Sequence, residues 1–228
     1  MNRKKYSLSD YNKEAPFDDS CIKLFIIYEG MDKEPNYFQA FCETFLEVKK
    51  AYVHHLLEIN SPIKGNMPKN LLARAKDFID NPPEYLRFTP SVDDKFRFVL
   101  DVDKHPEEQI IDLKNYSDTL LDSKLFISNF CFEIWLWLHL DEQKNILATK
   151  CKEIKTQLGL KQNELGFNFP HSYMKIDLIN NGIERAKQAD AKKEIYFPVE
   201  KSTKVYLLME ELLQYSLLNN SVDGAEIL

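Results

Sequence analysis

The chain has 228 residues, a length that suits one domain, or one domain with a helical appendage. Hydrophobic residues make up 44% of it and charged residues 29%, which is the balance of a soluble globular protein with a sizeable core. The net charge of −6 excludes a bulk positive field for nucleic acid. Any such binding therefore needs a local basic patch, or metal ions that supply the positive charge.

The sequence predicts a cytoplasmic protein that is neither exported nor inserted in a membrane. Its first twenty residues contain basic side chains but no apolar segment typical of a signal peptide. The longest apolar-rich stretch, FCFEIWLWLHL, is too short to span a bilayer. The cysteines have apolar neighbours and no C-x-x-C spacing, which favours buried free thiols over a structural zinc site. They are Cys21, Cys42, Cys131 and Cys151.

The hydrophobic pattern predicts strands that alternate with helices along the first 140 residues. The predicted strands are 21–28, 52–59, 96–102 and 124–128. The predicted helices are 35–51, 69–80, 106–121 and one that begins near residue 130. This alternation implies right-handed crossovers, and therefore a mainly parallel sheet of about four strands flanked by helices.

The strand signals fade after residue 142, and the pattern predicts helices at 143–158, 174–191 and 203–216. We therefore expect four segments along the chain. They are a flexible N-terminal arm (1–20), an α/β core (21–141), a helical C-terminal part packed on the core (142–217) and a tail (218–228).

Carboxylates follow three of the predicted strands. Glu29 ends the first strand with Glu34 close behind it, Asp101 and Asp103 end the third, and Glu133 follows the fourth. In an open α/β sheet the carboxyl ends of parallel strands form the usual ligand crevice, so we expect these acids to converge there.

The acids predict a site for a hard divalent cation. Asp101 and Asp103 are two residues apart on an extended segment, so their side chains point to one face. Neighbouring carboxylates repel unless a cation lies between them, and oxygen-only ligation suits Mg²⁺ or Mn²⁺ better than zinc. A single D-x-D is more often a pair of solvated acids or a helix cap. A metal site is favoured here because acids follow three separate predicted strands.

Several basic residues near these segments have two interpretations. Lys104 and His105 follow the D-x-D, where they would contact a phosphate or transfer a proton; a solvated loop pair is an equal alternative. Lys201 and Lys204 precede a predicted helix, and for them a solvated charged face is the favoured interpretation. His139, in an apolar segment, is expected to be a packed core histidine.

Four segments together resemble those of RloB-like proteins, the family that includes AbiLii, in the same order from about residue 22 to residue 216. They are LFIIYEGMDKEPNYFQAF, FVLDVDKH, SNFCFEIWLWLH and STKVYLLMEELL. Phe130 and Lys201 stand where the family has proline, and neither change removes a candidate acid.

The resemblance implies a Toprim-like, Rossmann-like fold and a metal-dependent nuclease. It implies one metal at Glu29, Asp101 and Asp103, and a second supported by Glu34 and Glu133. The predicted metal ligands are thus Glu29, Glu34, Asp101, Asp103 and Glu133, and the predicted catalytic residues are Glu29, Asp101, Asp103 and Lys104. Two ions about 3.5–4 Å apart would stabilise both the attacking and the leaving oxygen of a phosphodiester.

The resemblance also implies a biological setting. It is an effector of antiphage or restriction-associated defence that uses Mg²⁺ or Mn²⁺, cuts DNA or RNA, with transfer RNA among the candidate substrates, and works beside a partner ATPase. The surplus apolar surface of the C-terminal segment VYLLMEELLQYSLL makes a homo-oligomer a further candidate assembly. The alternative is a non-catalytic sensor or interaction subunit of such a system, which the low positive charge favours somewhat. Topoisomerase- or primase-like chemistry ranks last.

Overall fold

The computed structural model describes residues 22–46, 51–57, 61–84, 86, 89–102, 105–191 and 196–216. The predicted arm at 1–20 and tail at 218–228 lie outside these ranges, as do Asp103 and Lys104. Within them the chain forms a five-stranded sheet with the order β2-β1-β3-β4-β5. Its strands are β1 (Ile22–Tyr28), β2 (Ala51–Leu56), β3 (Lys95–Asp101), β4 (Asp122–Asn129) and β5 (Ser202–Thr203).

Seven α-helices accompany the sheet in the described part of the chain. They are α1 (Lys33–Phe45), α2 (Pro68–Asp80), α3 (Glu107–Ser117), α4 (Glu133–Leu140), α5 (Cys151–Glu164), α6 (Ile176–Ala189) and α7 (Val205–Gln214). None of these helices combines the length and the apolar character that a bilayer crossing requires.

The predicted α/β class and mainly parallel sheet are confirmed. Strands β1 to β4 run parallel, while the short fifth strand pairs antiparallel with the end of β4. Strands β1 and β3 are buried on both faces, which is why the sequence shows them as continuous rather than alternating apolar runs.

Helices cover both faces of the sheet and divide the core in two. Alternate side chains of β1 point to opposite faces, so Leu24 and Ile26 pack with α1 and α4–α7, while Phe25 and Ile27 pack with α2 and α3. The chain leaves β1 on the first face to reach β2, and leaves β3 on the second face to reach β4. Strands β1 and β3 therefore meet where the strand order reverses, the position at which open α/β sheets bind ligands.

The predicted helix at 143–158 is wrong at its start, because the helix begins at Cys151. The preceding segment forms a short 3₁₀ helix at Gln143–Asn145 and then a non-helical path that side-chain bonds hold. The Gln157 amide donates to Asn145 O at 2.8 Å and accepts from Leu147 N at 3.1 Å. This segment carries Cys151 to the first turn of α5, where its side chain faces the carboxyl ends of the strands.

The last segment of the chain is built into the sheet through β5. The hydroxyls of Ser128 and Thr203 hydrogen-bond at 2.9 Å, and Lys204 N donates to Ile127 O at 2.8 Å. The favoured solvated-face interpretation is wrong for Lys204, which is buried with its ammonium 2.5 Å from Asp190. Because β5 pairs with β4, Lys204 lies inside the protein, where Asp190 neutralises its charge.

A fully buried arginine fastens α7 to the amino-terminal ends of β3 and β4. Arg97 donates to both oxygens of Glu211, at 2.8 and 2.5 Å, and to Asp122 at 2.8 Å. This bidentate geometry is the strong form of an ion pair. The position of α7 is thus stabilised by a side chain of β3, the central strand of the sheet.

We expect Arg97→Met to lower the free energy of unfolding by about 2–3 kcal/mol, since it leaves the partly buried Glu211 without the cation it pairs with and leaves Asp122 with Lys95 alone. Urea denaturation measures the change. The matched control is Lys114→Met, whose pair with Asp118 is exposed and should cost less than about 0.5 kcal/mol. Equal losses in the two variants would show that Arg97 has no special role.

Candidate metal centre

A cleft of about 360 Å³ opens at the carboxyl ends of β1 and β3. Five carboxylates line it: one is the exposed Asp32, and the others are Glu29, Glu34, Asp101 and Glu133. The structure thus brings together four of the five acids that the sequence predicts as metal ligands. The fifth, Asp103, lies outside the described residues, as does the predicted catalytic Lys104.

Glu29 is held firmly at the end of β1. Its backbone N–H donates to Val99 O at 2.9 Å, which continues the ladder between β1 and β3 past the last strand residue. Its carboxylate accepts the backbone N–H of Asp101 at 2.8 Å on one oxygen and His105 Nε2 at 2.7 Å on the other. Each oxygen keeps a second lone pair that is available to an ion.

His105 is a buried partner of Glu29, so the alternative of a solvated loop pair is wrong for this residue. Its side chain is 7% exposed, and its contact with Glu29 joins the loop after β3 to the end of β1. A histidine that holds a carboxylate in one orientation is a common support for a metal ligand. We therefore assign His105 to positioning Glu29.

Glu34 enters the cleft from the first turn of α1, and Gly30 makes its position possible. A Cβ atom at residue 30 would lie 2.0 Å from Glu34 Oε2. The glycine after Glu29 is therefore required for close approach of the Glu34 carboxylate to the backbone. From the sequence alone, Glu-Gly after a strand is indistinguishable from an ordinary turn.

Two carboxylates in the cleft, Glu34 and Asp101, have raised pKa values. Burial raises the pKa of Glu34 to about 7, and the charges of Glu133 and Glu29 add to that effect. Burial also raises the pKa of Asp101 well above its ordinary value, with further contributions from Glu34, Glu29 and Glu133. Such mutual destabilisation of anions is what a bound cation relieves.

Glu133 lies at the inner wall of the cleft, beside Lys155, Cys131 and Cys151. The sequence does not predict that these side chains lie together. Its carboxylate is in the first turn of α4, and Lys155 Nζ lies 3.8 Å from Oε1. Its ligand oxygen and the sulfurs of Cys131 and Cys151 all lie within 4.8 Å of one another. The two cysteines are twenty positions apart, so no local spacing signals their contact.

The oxygen chemistry of the cleft suits a hard divalent cation, although among the described residues the group whose ligand atoms lie within 4.8 Å of one another is Cys131, Glu133 and Cys151, so the acids must move closer together to share an ion. Carboxylate oxygens arrive from β1, α1, β3 and α4, and the side chain of Asn66 also lines the cleft. Mg²⁺ and Mn²⁺ prefer such oxygen ligands and commonly keep several waters. Burial first, and the neighbouring carboxylates second, raise the pKa values of Glu34 and Asp101, so these two side chains favour binding a proton or another cation.

Comparison with known proteins gives one match. The family model described as RloB-like protein matches residues 24–212, a range that contains every residue of the cleft. No match was found among the curated proteins or among the solved structures.

We expect Glu34→Gln to change how stability depends on pH. Folded Glu34 keeps its proton up to about pH 7, whereas in the unfolded chain it loses it near its ordinary value of 4.5. The folded state therefore becomes less stable as pH rises through this window. With chelator present, the unfolding free energy of the wild type should fall by up to about 3 kcal/mol more than that of the variant between about pH 5 and pH 8.

Urea denaturation at a series of pH values measures this difference. Glu43→Gln is a suitable control, because Glu43 lies on the same helix and bonds only Gln39 in an exposed pair. Parallel pH profiles for the wild type and Glu34→Gln would show that Glu34 titrates normally.

Proposed function

Since the chain belongs to the RloB-like protein family, we propose that it is a Toprim-like, Mg²⁺- or Mn²⁺-dependent nuclease that hydrolyses phosphodiester bonds in DNA or RNA. The observation that carries the proposal is that carboxylates from four separate elements, Glu29, Glu34, Asp101 and Glu133, line one cleft. A structural ion pair would need one acid, whereas a divalent cation that also binds a phosphate needs several.

Glu29, Glu34, Asp101 and Glu133 would hold the cation, with Asp103 added by resemblance to the family. When bound, such an ion polarises the phosphodiester and lowers the pKa of water, so that hydroxide is available near neutral pH. Its positive charge would also bring a polyanion to a protein whose own net charge is −6.

The side chains of the cleft have separate tasks in this proposal. His105 and the backbone N–H of Asp101 fix the Glu29 carboxylate, so that Glu29 presents its remaining lone pairs in one direction. Glu34, whose pKa is about 7 without a bound cation, would release its proton when the cation binds. Lys155, whose side chain is 54% exposed, offers a positive charge at the rim for a phosphate oxygen.

The family resemblance adds a cellular role to the proposal. The nuclease would act as the effector of an antiphage or restriction-associated system, held or triggered by a partner ATPase.

A non-catalytic sensor subunit is the second candidate, and the charge distribution favours it. Lys155 and His105 already contact two of the four acids, and the whole chain is acidic. Calorimetric titration with Mg²⁺ and Mn²⁺ separates the two functions. Binding that is lost in acid-to-amide variants supports the enzyme, whereas absence of binding to the wild type supports the sensor.

We expect Asp101→Asn and Glu29→Gln each to lower the Mg²⁺-dependent cleavage rate at least about 100-fold, because each removes a ligand charge from the ion. Cleavage of labelled single-stranded DNA and RNA, with the partner ATPase present, measures the rate. Asp112→Asn is the matched control, since Asp112 is exposed on α3 and should leave the rate unchanged. Purified protein that cuts neither substrate, together with unchanged phage protection by Asp101→Asn, would refute the nuclease.

Gly30→Ala tests the geometry without removing an acid. The new methyl group would occupy the position of the Glu34 carboxylate, so this carboxylate must turn away from the cleft. We expect Mg²⁺ affinity to fall about 10-fold while the unfolding transition stays close to that of the wild type. Gly159→Ala is the control, because no neighbouring atom lies within 4 Å of a Cβ atom there. An unchanged affinity in Gly30→Ala would exclude Glu34 as a ligand.

A further inference from the structure

The inner wall of the cleft carries two thiols, Cys131 and Cys151, that a hard-metal nuclease does not use. The sulfurs of Cys131 and Cys151 and one carboxylate oxygen of Glu133 lie within 4.8 Å of one another, and all three residues are buried. The two thiols are in hydrogen-bond contact. Cys151 and Glu133 face the cleft, while Cys131 lies behind them.

These separations are close to those of a tetrahedral zinc site. With zinc–sulfur bonds of about 2.3 Å and zinc–oxygen bonds of about 2.1 Å, the ligand atoms lie roughly 3.5–3.8 Å apart. The three atoms need to approach one another by about 1 Å at most, which small side-chain rotations supply. The side of the group that faces the cleft is left for water or another ligand, as in zinc sites with three protein ligands.

We propose that Cys131, Cys151 and Glu133 form a second metal position that binds a thiophilic divalent ion such as Zn²⁺. Thiolate ligands select zinc, cobalt and similar ions over Mg²⁺. The position is distinct from the oxygen-only one at Glu29, Glu34 and Asp101, and it does not depend on the proposed nuclease activity. Glu133 is shared by both, so occupation of one position changes the ligands available to the other.

Lys155 is the cation that now occupies part of this space. Its ammonium lies 3.8 Å from Glu133 and close to the Cys151 thiol. Because the side chain is about half exposed, it swings into solvent at little cost when a metal arrives. Lys155 therefore competes with the metal, and its removal should strengthen binding rather than weaken it.

Cobalt titration of the reduced full-length protein tests the site, because Co²⁺ bound to thiolate gives a charge-transfer absorption that carboxylate ligation alone does not give. We expect one equivalent of Co²⁺ to produce this band, Zn²⁺ to abolish it and excess Mg²⁺ to leave it unchanged. Cys131→Ser and Cys151→Ser should lose at least about 100-fold in affinity. Lys155→Met should bind about five-fold more tightly.

Two control variants separate this site from other thiols and from the oxygen-only position. Cys42→Ser should keep the band, because Cys42 lies on α1 outside the group. Glu29→Gln should also keep it, since Glu29 belongs to the other position. Loss of the band in Glu29→Gln would place the ion among the acids and overturn the proposal.

X-ray absorption at the zinc edge of the unmodified protein covers the case in which a serine variant does not fold. Two sulfur scatterers per zinc are expected. A first shell of oxygen and nitrogen alone, or no charge-transfer band in the folded wild type, would refute the site. Neither result bears on Mg²⁺-dependent cleavage, so failure of this site is distinguishable from failure of the proposed nuclease.

Discussion

Repulsion among buried carboxylates is the constraint on which the cleft depends. Glu29, Glu34, Asp101 and Glu133 line one cleft of about 360 Å³, and their burial limits how far water screens their charges. The molecule compensates in three ways. Glu34 and Asp101 have raised pKa values, His105 bonds Glu29, and Lys155 lies beside Glu133. Each of these compensations is reversible, so a metal ion can replace it.

The sheet topology explains why the acids meet. Strand order β2-β1-β3-β4 sends the chain to opposite faces after β1 and after β3, which leaves a crevice between the two strand ends. Glu29 and Asp101 occupy those ends, and the backbone N–H of Asp101 bonds the Glu29 carboxylate directly. The site is therefore rigid where the sheet holds it, and Glu34 and Glu133 come from the first turns of helices that pack on the same core.

The sequence predicts the strands that are buried along their whole length, but not the elements whose position depends on contacts between distant residues. The runs that form β1 and β3 were predicted within one residue at either end, because strands buried on both faces are apolar without interruption. The two residues of β5 are too few for any periodicity, and its pairing depends on the Ser128–Thr203 hydroxyl contact. The late start of α5 likewise depends on side-chain bonds from Gln157 that propensity does not report.

The same contrast applies to the cleft: the sequence predicts that its acids lie together, but it does not predict the contact between its two cysteines. Acids at strand ends are visible in the sequence because topology alone makes them converge. The Cys131–Cys151 contact joins a β4–α4 loop to the first turn of α5, and it exists only because that helix begins at residue 151. Had the helix begun at residue 143, as periodicity predicts, Cys151 would lie two turns inside it and Lys155 further still. The contact between Cys131 and Cys151 thus depends on the segment that precedes α5. The positions of Glu29 and Asp101 follow from the order of the strands.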